Sequence, residues 1–478
     1  MLVIRKHSMR LLLINPSNPL VSIVHVKESR WNRYRVWKPL SLMTIAGLTP
    51  PEWDVEIVDE NLGVPDYEVS PRPDLVGITA FTSQASRAYE VAAHFRCLGV
   101  PVVMGGIHAT MCLDEALERV DSLVTGEAEG VWGQVLEDVR RGALQRRYDG
   151  GLADIGKVRP ARHELLDGQY ALGAIQTTRG CPLNCNFCSV SAFNGTYYRQ
   201  RPVADVVREF QMIREKRVLV VDDNLVGISA DHIARAKDLF RAMIQADLRK
   251  EWIAQATINF ADDDELLALA AKAGCRGVFI GFETLSPEGL RELGKKFDLL
   301  RDRDFPASVR RIQRHKIQVV GSFILGLDVD KPGIGKRIAE VAGQYGVDNV
   351  NVLFLTPLPG TRLWGKMKAD GRIPLDTFPH DWRYYTLTFP VGRYAQLSMD
   401  ESIDEMMRCG QRFYSMANTL GRIWGNLWRW RNPFITVVAN FSYRGNLRLD
   451  SNAYADFRRE HAHRYDPAKA GLLPERQD

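Results

Sequence analysis

Three cysteines fall within eight residues, in the run Thr178-Arg179-Gly180-Cys181-Pro182-Leu183-Asn184-Cys185-Asn186-Phe187-Cys188. The spacing is C-x3-C-x2-C. Thiolates this close can hold three corners of one metal cluster. A [4Fe–4S] cluster has four irons, so three cysteines leave one iron open to an outside chelating ligand. A structural zinc site normally closes with four protein ligands, and the next cysteine along the chain is Cys275. A three-cysteine zinc site with a distant fourth ligand is the alternative these residues leave open. Cys181, Cys185 and Cys188 are thus the candidate metal ligands and the candidate catalytic residues. Cys97, Cys112, Cys275 and Cys409 are scattered and read as core thiols. An odd, clustered count points to metal or redox chemistry rather than to disulfides.

Such a loop needs a scaffold. The chain has 478 residues, 45% hydrophobic and 25% charged, which is ordinary globular composition and excludes disorder or collagen-like repeats as the overall state. A prior of ~150 residues per domain suggests two to four domains. No run approaches the ~18 apolar residues of a spanning helix. Only Leu11–Ile14 could serve as the apolar core of an export signal, against the roughly 7–15 residues one needs. Cytoplasmic residence is the expectation. The net charge, 63 − 58 = +5, is too mild to argue for nucleic acid, and none is expected.

The first 147 residues alternate short β-like runs (Leu11–Asn15, Asp54–Val58, Leu75–Thr79, Pro101–Met104, Ser122–Thr125) with helical stretches, the mark of a parallel sheet. Ligands of such sheets sit at the carboxyl ends of strands. Those ends hold Thr79, Ser83, Gly105, Gly106, His108, Gly126 and Glu127. Residues 148–170 read as a linker. From 171 to 365 six strands are expected: Gly173–Thr177, Arg217–Val221, Trp252–Thr257, Gly277–Phe282, Gln318–Leu325 and Val350–Leu355. Helices between them suggest a barrel or partial barrel with its active face at the strand carboxyl ends. Residues 366–478 read as a largely helical extension. The fold class is α/β: a doubly wound parallel sheet, a partial (β/α)6 barrel and a helical C-terminal domain.

The cysteine triplet, placed after a strand that opens a βα series, resembles the radical SAM superfamily. That resemblance implies an open iron that holds S-adenosylmethionine and a reductive cleavage that makes a 5′-deoxyadenosyl radical. It implies an external one-electron reductant such as flavodoxin or ferredoxin. Phe187 occupies the aromatic place usual there, where its backbone helps hold the adenine. Asp222 and Asn224 close the second barrel strand, Glu283 the fourth and Ser322 lies in the fifth. Each offers a carboxylate, amide or hydroxyl where the ribose and the methionine carboxylate need partners.

The series as a whole resembles the subgroup that carries an N-terminal, flavodoxin-like cobalamin domain, including hopanoid methylases and an anaerobic porphyrin cyclase. In that subgroup the turns at Gly105-Gly106-Ile107-His108 and Gly126-Glu127-Ala128-Glu129 line the cobalamin crevice. Glycine lets backbone approach a flat macrocycle closely, and Thr79 and Ser83 offer hydroxyls to its rim. The loop after the first strand, Asn15-Pro16-Ser17-Asn18-Pro19, lacks the histidine that other cobalamin proteins place on cobalt, so no protein lower ligand is expected.

By this resemblance the chain is a radical SAM methyltransferase acting on an unactivated carbon of a lipid-like, hopanoid- or terpenoid-type substrate. Non-methylating cyclisation or rearrangement is the alternative. Between Met406 and Leu449 there are seven arginines and no acidic residue, interleaved with Trp424, Trp428 and Trp430. Such a stretch (406–449) suits a peripheral membrane contact, an apolar substrate channel or a helical cap with a basic face.

Overall fold

The computed structural model describes residues 8–18, 20, 37–63, 65–68, 71–295, 303–428 and 433–465. The chain divides into two compact units. The first comprises Met1–Ile175, Arg199–Leu219 and Phe378–Arg383; the second comprises Gln176–Tyr198, Val220–Thr377 and Tyr384–Asp478.

The first unit is built on a six-stranded sheet: β1 (Met9–Asn15), β2 (Trp53–Asp59), β3 (Leu75–Thr79), β4 (Val102–Gly105), β5 (Ser122–Thr125) and β6 (Arg147–Asp149). The order is β2-β1-β3-β4-β5-β6, and every pairing is parallel. β1 is interior, and Leu11–Ile14 are all buried, as the unbroken apolar run of a strand covered on both faces requires. β2 lies at the edge and alternates instead, with Asp54 and Glu56 exposed between Trp53, Val55 and Ile57. Strand order reverses between β1 and β3, so the crevice of this sheet lies at their carboxyl ends. The sequence reading does not include β6. It is three residues long, only Tyr148 is buried, and Arg-Tyr-Asp carries no apolar pattern to announce a strand.

The second sheet contains β7 (Gly173–Ile175), β8 (Arg217–Val220), β9 (Glu251–Ala256), β10 (Cys275–Glu283), β11 (Gln318–Leu325) and β12 (Asn349–Phe354). Its strands lie in chain order, and β9 to β12 pair in parallel. It is an open sheet and so a partial barrel, as expected. The caps also follow the sequence. Ser229 Oγ accepts from His232 N (3.2 Å) at the head of helix Ala230–Gln245. Asp263 accepts from Leu266 N (2.9 Å) at the head of Asp264–Lys272, which satisfies amides the helix cannot.

The last three helices among the described residues are Met399–Phe413, Met416–Trp428 and Pro433–Tyr465. The first starts with a reciprocal capping box between Ser398 and Glu401. It packs so closely on helix Ile334–Tyr345 that a Cβ on Gly335 would stand 1.9 Å from the Glu405 carbonyl oxygen. Several of the arginines are spent inside the fold. The Arg422 guanidinium lies 4.0 Å from the Phe413 ring centroid and bonds Asn440 Oδ1. Arg444 bonds the Tyr414 carbonyl, and Arg408 pairs with Glu405. Arg429, Arg431 and Trp430 lie outside the described residues. No helix among the described residues is long and apolar enough to cross a membrane.

Candidate cluster and cofactor site

The cysteine loop of the second unit is held by backbone bonds to buried side chains. Asp222 is fully buried. Its Oδ1 accepts from Thr177 N (2.5 Å) and Thr178 N (3.0 Å), and its Oδ2 from Thr177 Oγ1 (2.6 Å). Burial raises its pKa against the pull of these three bonds. Asp223 takes Gly180 N (2.9 Å) and Asn194 Nδ2 (3.0 Å). Gly180 has φ +87°, and a Cβ there would meet the Tyr197 carbonyl at 2.4 Å. Only glycine fits. The two aspartates at the end of β8 thus fix where the loop begins.

The far side of the loop is pinned as well. Asn186 N donates to the Leu293 carbonyl (2.9 Å), and Leu363 N donates to the Asn186 carbonyl (3.1 Å). Arg362 donates to Asn186 Oδ1 and Asn184 Oδ1, each at 2.8 Å. The three cysteines lie between these pins, and none is in a disulfide. Burial pushes Cys185 up to about 12 and Cys188 up to about 11, and raises Cys181; each also feels charge on its neighbours. The Asn224 side chain bonds the Cys181 thiol and favours its thiolate. Thiols this reluctant to ionise become thiolates when a metal takes them.

The donor set fits three corners of a cluster, with all three thiols on one loop and within electrostatic reach of one another. Among the described residues, no three His, Cys, Asp or Glu side chains gather as a single ion would need. A cuboidal cluster makes no such demand, because each thiolate takes a different iron.

The other predicted residues of this unit take distinct roles. Asn224 is buried, and its Nδ2 faces Thr257 Oγ1 (3.3 Å). Ser322 is half-buried in mid-strand, in register with Gly281 on one side and Asn351 on the other. Phe187 is half-buried between two of the cysteines. Glu283 stands just after a bulge in β10, since Gly281 pairs with Ser322 while Glu283 pairs with Phe323. Its φ is +64°, a left-handed conformation that costs a non-glycine residue roughly 1–2 kcal/mol. Sequence reasoning missed Lys295, whose Nζ bonds Glu283 Oε1 (3.1 Å) and the Gly281 carbonyl. It also missed Arg362 and Thr177, which lie far along the chain from their partners, and no local pattern announces them. Asp223 reads from the sequence, with Asp222 and Asn224, as closing its strand, but toward the cofactor rather than toward Gly180.

Asp330 turns the loop after β11, with Oδ2 accepting from Gly326 N (2.9 Å) and Leu327 N (3.0 Å). Burial lifts its pKa to about 6, from 3.8. The folded value lies above the unfolded one, so its contribution to stability is present below pH ~4 and lost as pH rises through about 6. That amounts to about 3 kcal/mol. Asp330→Asn keeps an acceptor oxygen and removes the charge. The variant should melt near wild type at about pH 3.5, below the unfolded value, and clearly above it at about pH 8; an equal difference at the two pH values would exonerate Asp330.

In the first unit the predicted residues gather at the carboxyl ends of β3, β4 and β5. Gly106 has φ +88°, and a Cβ there would stand 2.7 Å from Thr79 Oγ1. The Thr110 hydroxyl accepts from Gly126 N (3.0 Å) and donates to the Gly106 carbonyl (3.0 Å), tying the two glycine turns together. Gly105 precedes them in extended backbone. Ser83 lies half-buried in the turn Thr82–Gln84, which follows an exposed Phe81. Glu127 faces inward, where its Oε2 accepts from Arg199 Nη1 (2.8 Å) and Ala153 N (2.8 Å).

His108 is also turned inward and fully buried. Its Nε2 lies 2.8 Å from the Tyr89 hydroxyl and 3.4 Å from Glu115. Tyr89 donates to Glu115 (2.9 Å), and so does Trp382 Nε1 (3.0 Å). Burial pushes Glu115 up, but these three donors outweigh it and hold the carboxyl below its usual range. The arrangement puts the proton of His108 on Nε2 and leaves Nδ1 a bare acceptor. Trp382 belongs to the segment Phe378–Arg383, which also meets Ser86 through the Pro379 carbonyl and Asn18 through the Arg383 carbonyl. A segment this remote joins β1, β3 and β4 at their carboxyl ends, and sequence alone gave no sign of it.

Of the scattered cysteines, Cys275 and Cys409 are buried as expected. Cys97 is exposed at the end of its helix and corrects the reading of it as a core thiol.

The profile of the radical SAM superfamily matches residues 175–332, the span that holds the cysteine loop and the strands from β8 to β11. A bacteriochlorophyllide d C-12(1)-methyltransferase of Chlorobaculum tepidum is 28% identical over 408 residues, covering 82% of this chain and 86% of that one. A hopanoid C-2 methylase of Rhodopseudomonas palustris is 28% identical over 71% of this chain and 66% of its own length. Among solved structures, the radical S-adenosylmethionine methyltransferase TsrM of Kitasatospora setae, with cobalamin and a [4Fe–4S] cluster bound, aligns with a TM-score of 0.58 at 20% identity. The alignment covers 76% of this chain and 78% of that one. That likeness concerns the fold. The cysteine loop, its six-stranded sheet and these relatives agree: the chain is an enzyme that carries a radical SAM domain over residues 175–332, and its relatives are named as methyltransferases.

Proposed function

We propose that this enzyme is a cobalamin-dependent C-methyltransferase that acts on an unactivated carbon of a large apolar substrate. The observation that carries the reading is the three-thiol loop, pinned at both ends, in a chain that matches a methyltransferase over 86% of that relative's length. When bound, the cluster, S-adenosylmethionine and cobalamin supply a carbon-centred radical and a methyl group, while the protein supplies position and electrostatics. An external one-electron donor of the flavodoxin or ferredoxin class feeds the cluster.

The residues of the first unit fit a corrinoid. Gly106 and Gly126 hold turns where only glycine sits, Thr79 offers a hydroxyl, and the Phe81 ring is 68% exposed at the carboxyl end of β3. His108 has its Nε2 engaged by Tyr89 and Glu115 and is fully buried, which supports binding without a protein ligand on cobalt. The tetrapyrrole class comes first among substrates, because the bacteriochlorophyllide methyltransferase matches over more of its length than the hopanoid methylase does. Hopanoid-type lipids come second. Met416, Leu420 and Trp424 recur at successive turns of one helix and are 43%, 54% and 69% exposed. That ridge supports collection of an apolar substrate from a membrane surface.

The test is an anaerobic assay with methyl-deuterated S-adenosylmethionine and a panel of tetrapyrroles and hopanoids. S-adenosylhomocysteine and 5′-deoxyadenosine should appear together, with the label on product. Deoxyadenosine alone would move the reaction to cyclisation or rearrangement. Neither product, from a cluster-loaded chain, would sink both readings.

A further inference from the structure

One charged pair in the second unit is unexplained by the holding of the loop. Lys295 is almost fully buried, its side chain 4% exposed, and Glu283 beside it is 14% exposed. Burying an ammonium costs several kcal/mol unless a partner offsets it. Here Nζ bonds Glu283 Oε1 and the Gly281 carbonyl. The backbone is built around the pair. A Cβ on Gly281 would stand 2.1 Å from Glu283 Oε1 and 3.4 Å from Lys295 Nζ. Glu283 reaches the lysine from a left-handed conformation, after a bulge. Strain of this kind persists only where its surroundings enforce it.

The pair also abuts the cysteine loop. Leu293, two residues before Lys295, accepts the amide of Asn186, and Glu292 accepts from its side chain (3.1 Å). Asn186 is the residue after Cys185. The ammonium favours the Cys185 and Cys181 thiolates, while Glu283 opposes the Cys185 one.

We propose that Lys295 and Glu283 are a matched pair of charges that sets the reduction potential at the cysteine loop. This rests on the reading of that loop as a [4Fe–4S] site. Reduction there moves one electron from a low-potential one-electron donor into the cluster, which goes from the 2+ to the 1+ state, and no proton moves. With three thiolates the net charge goes from −1 to −2. A buried ammonium nearby favours that step, and a buried carboxylate opposes it. Lys295 thus acts as a positioning residue for Glu283 and as the counter-charge that keeps the cluster reducible.

The test is a redox titration, followed by electron paramagnetic resonance, of the full chain after anaerobic reconstitution. Lys295→Gln should lower the midpoint by a tenfold fall in the reduction equilibrium, which is about 59 mV for one electron. Glu283→Gln should raise it, and the double variant should return toward wild type. Lys295→Arg should keep the wild-type midpoint. A merely structural pair would move both single variants in the same sense or move neither, and either result overturns the proposal. If Lys295→Gln loses its cluster, Glu283→Gln decides alone: a midpoint that is unchanged or lower refutes it. A wild-type chain that assembles no cluster would instead overturn the reading of the loop.

Discussion

Cys185→Ala yields a folded chain that holds no cluster and makes no 5′-deoxyadenosine. The fold survives because the loop does not depend on this thiol. Its backbone is pinned through Asn186 to Leu293 and Leu363, and through Gly180 to Asp223. The chemistry does not survive, because two thiolates cannot hold a cluster that needs three corners. Product formation should fall by more than about 10³-fold, the order expected when one member of a set that acts as a unit is removed. Iron and sulfide per chain, visible absorption and product chromatography check it together. Measurable deoxyadenosine from this variant would remove the loop from the active site.

Asp222→Ala should have the largest effect on stability. The carboxylate is fully buried and accepts from two backbone amides and one hydroxyl. Alanine leaves all three donors without their acceptor, at about 1–3 kcal/mol for each group left unsatisfied. Some recovery through relaxation brings the expected loss to about 3–5 kcal/mol, read as a lower urea midpoint. The cysteine loop begins at these amides, so cluster content after reconstitution should fall too. Asp222→Asn retains an oxygen for the amides and should lose much less. If Asp222→Ala unfolds at the wild-type midpoint, this carboxylate does not anchor the loop.

The strands were readable because a parallel sheet covered on both faces demands unbroken β-branched and apolar runs, and Val218–Val220 or Val319–Leu325 can be little else. The positions of Asp222, Asn224 and Glu283 at strand ends followed from that. What each side chain does there did not follow. Asp222 could as well have faced a ligand as the backbone of Thr177, since both need the same acceptor. Glu127 and His108 show the same gap: their turns were recognised, but their burial against Arg199 and Tyr89 depends on partners 72 and 19 residues away. β6 was too short to have a period. Lys295, Arg362 and Trp382 were missed because they act only through the folded chain.

The pins on the cysteine loop have a consequence in time. Arg362 and Asn184 are 178 residues apart. A ribosome adding roughly 5–20 residues per second takes roughly 9–36 s to cover that distance. For most of that interval the three thiols are already in the chain while the clamp that shapes their loop is still untranslated. Their lasting form can be reached only after the sixth βα unit has been made. Iron and sulfide are therefore best delivered to a finished chain, and a nascent one is exposed to oxidants at the three atoms it can least lose.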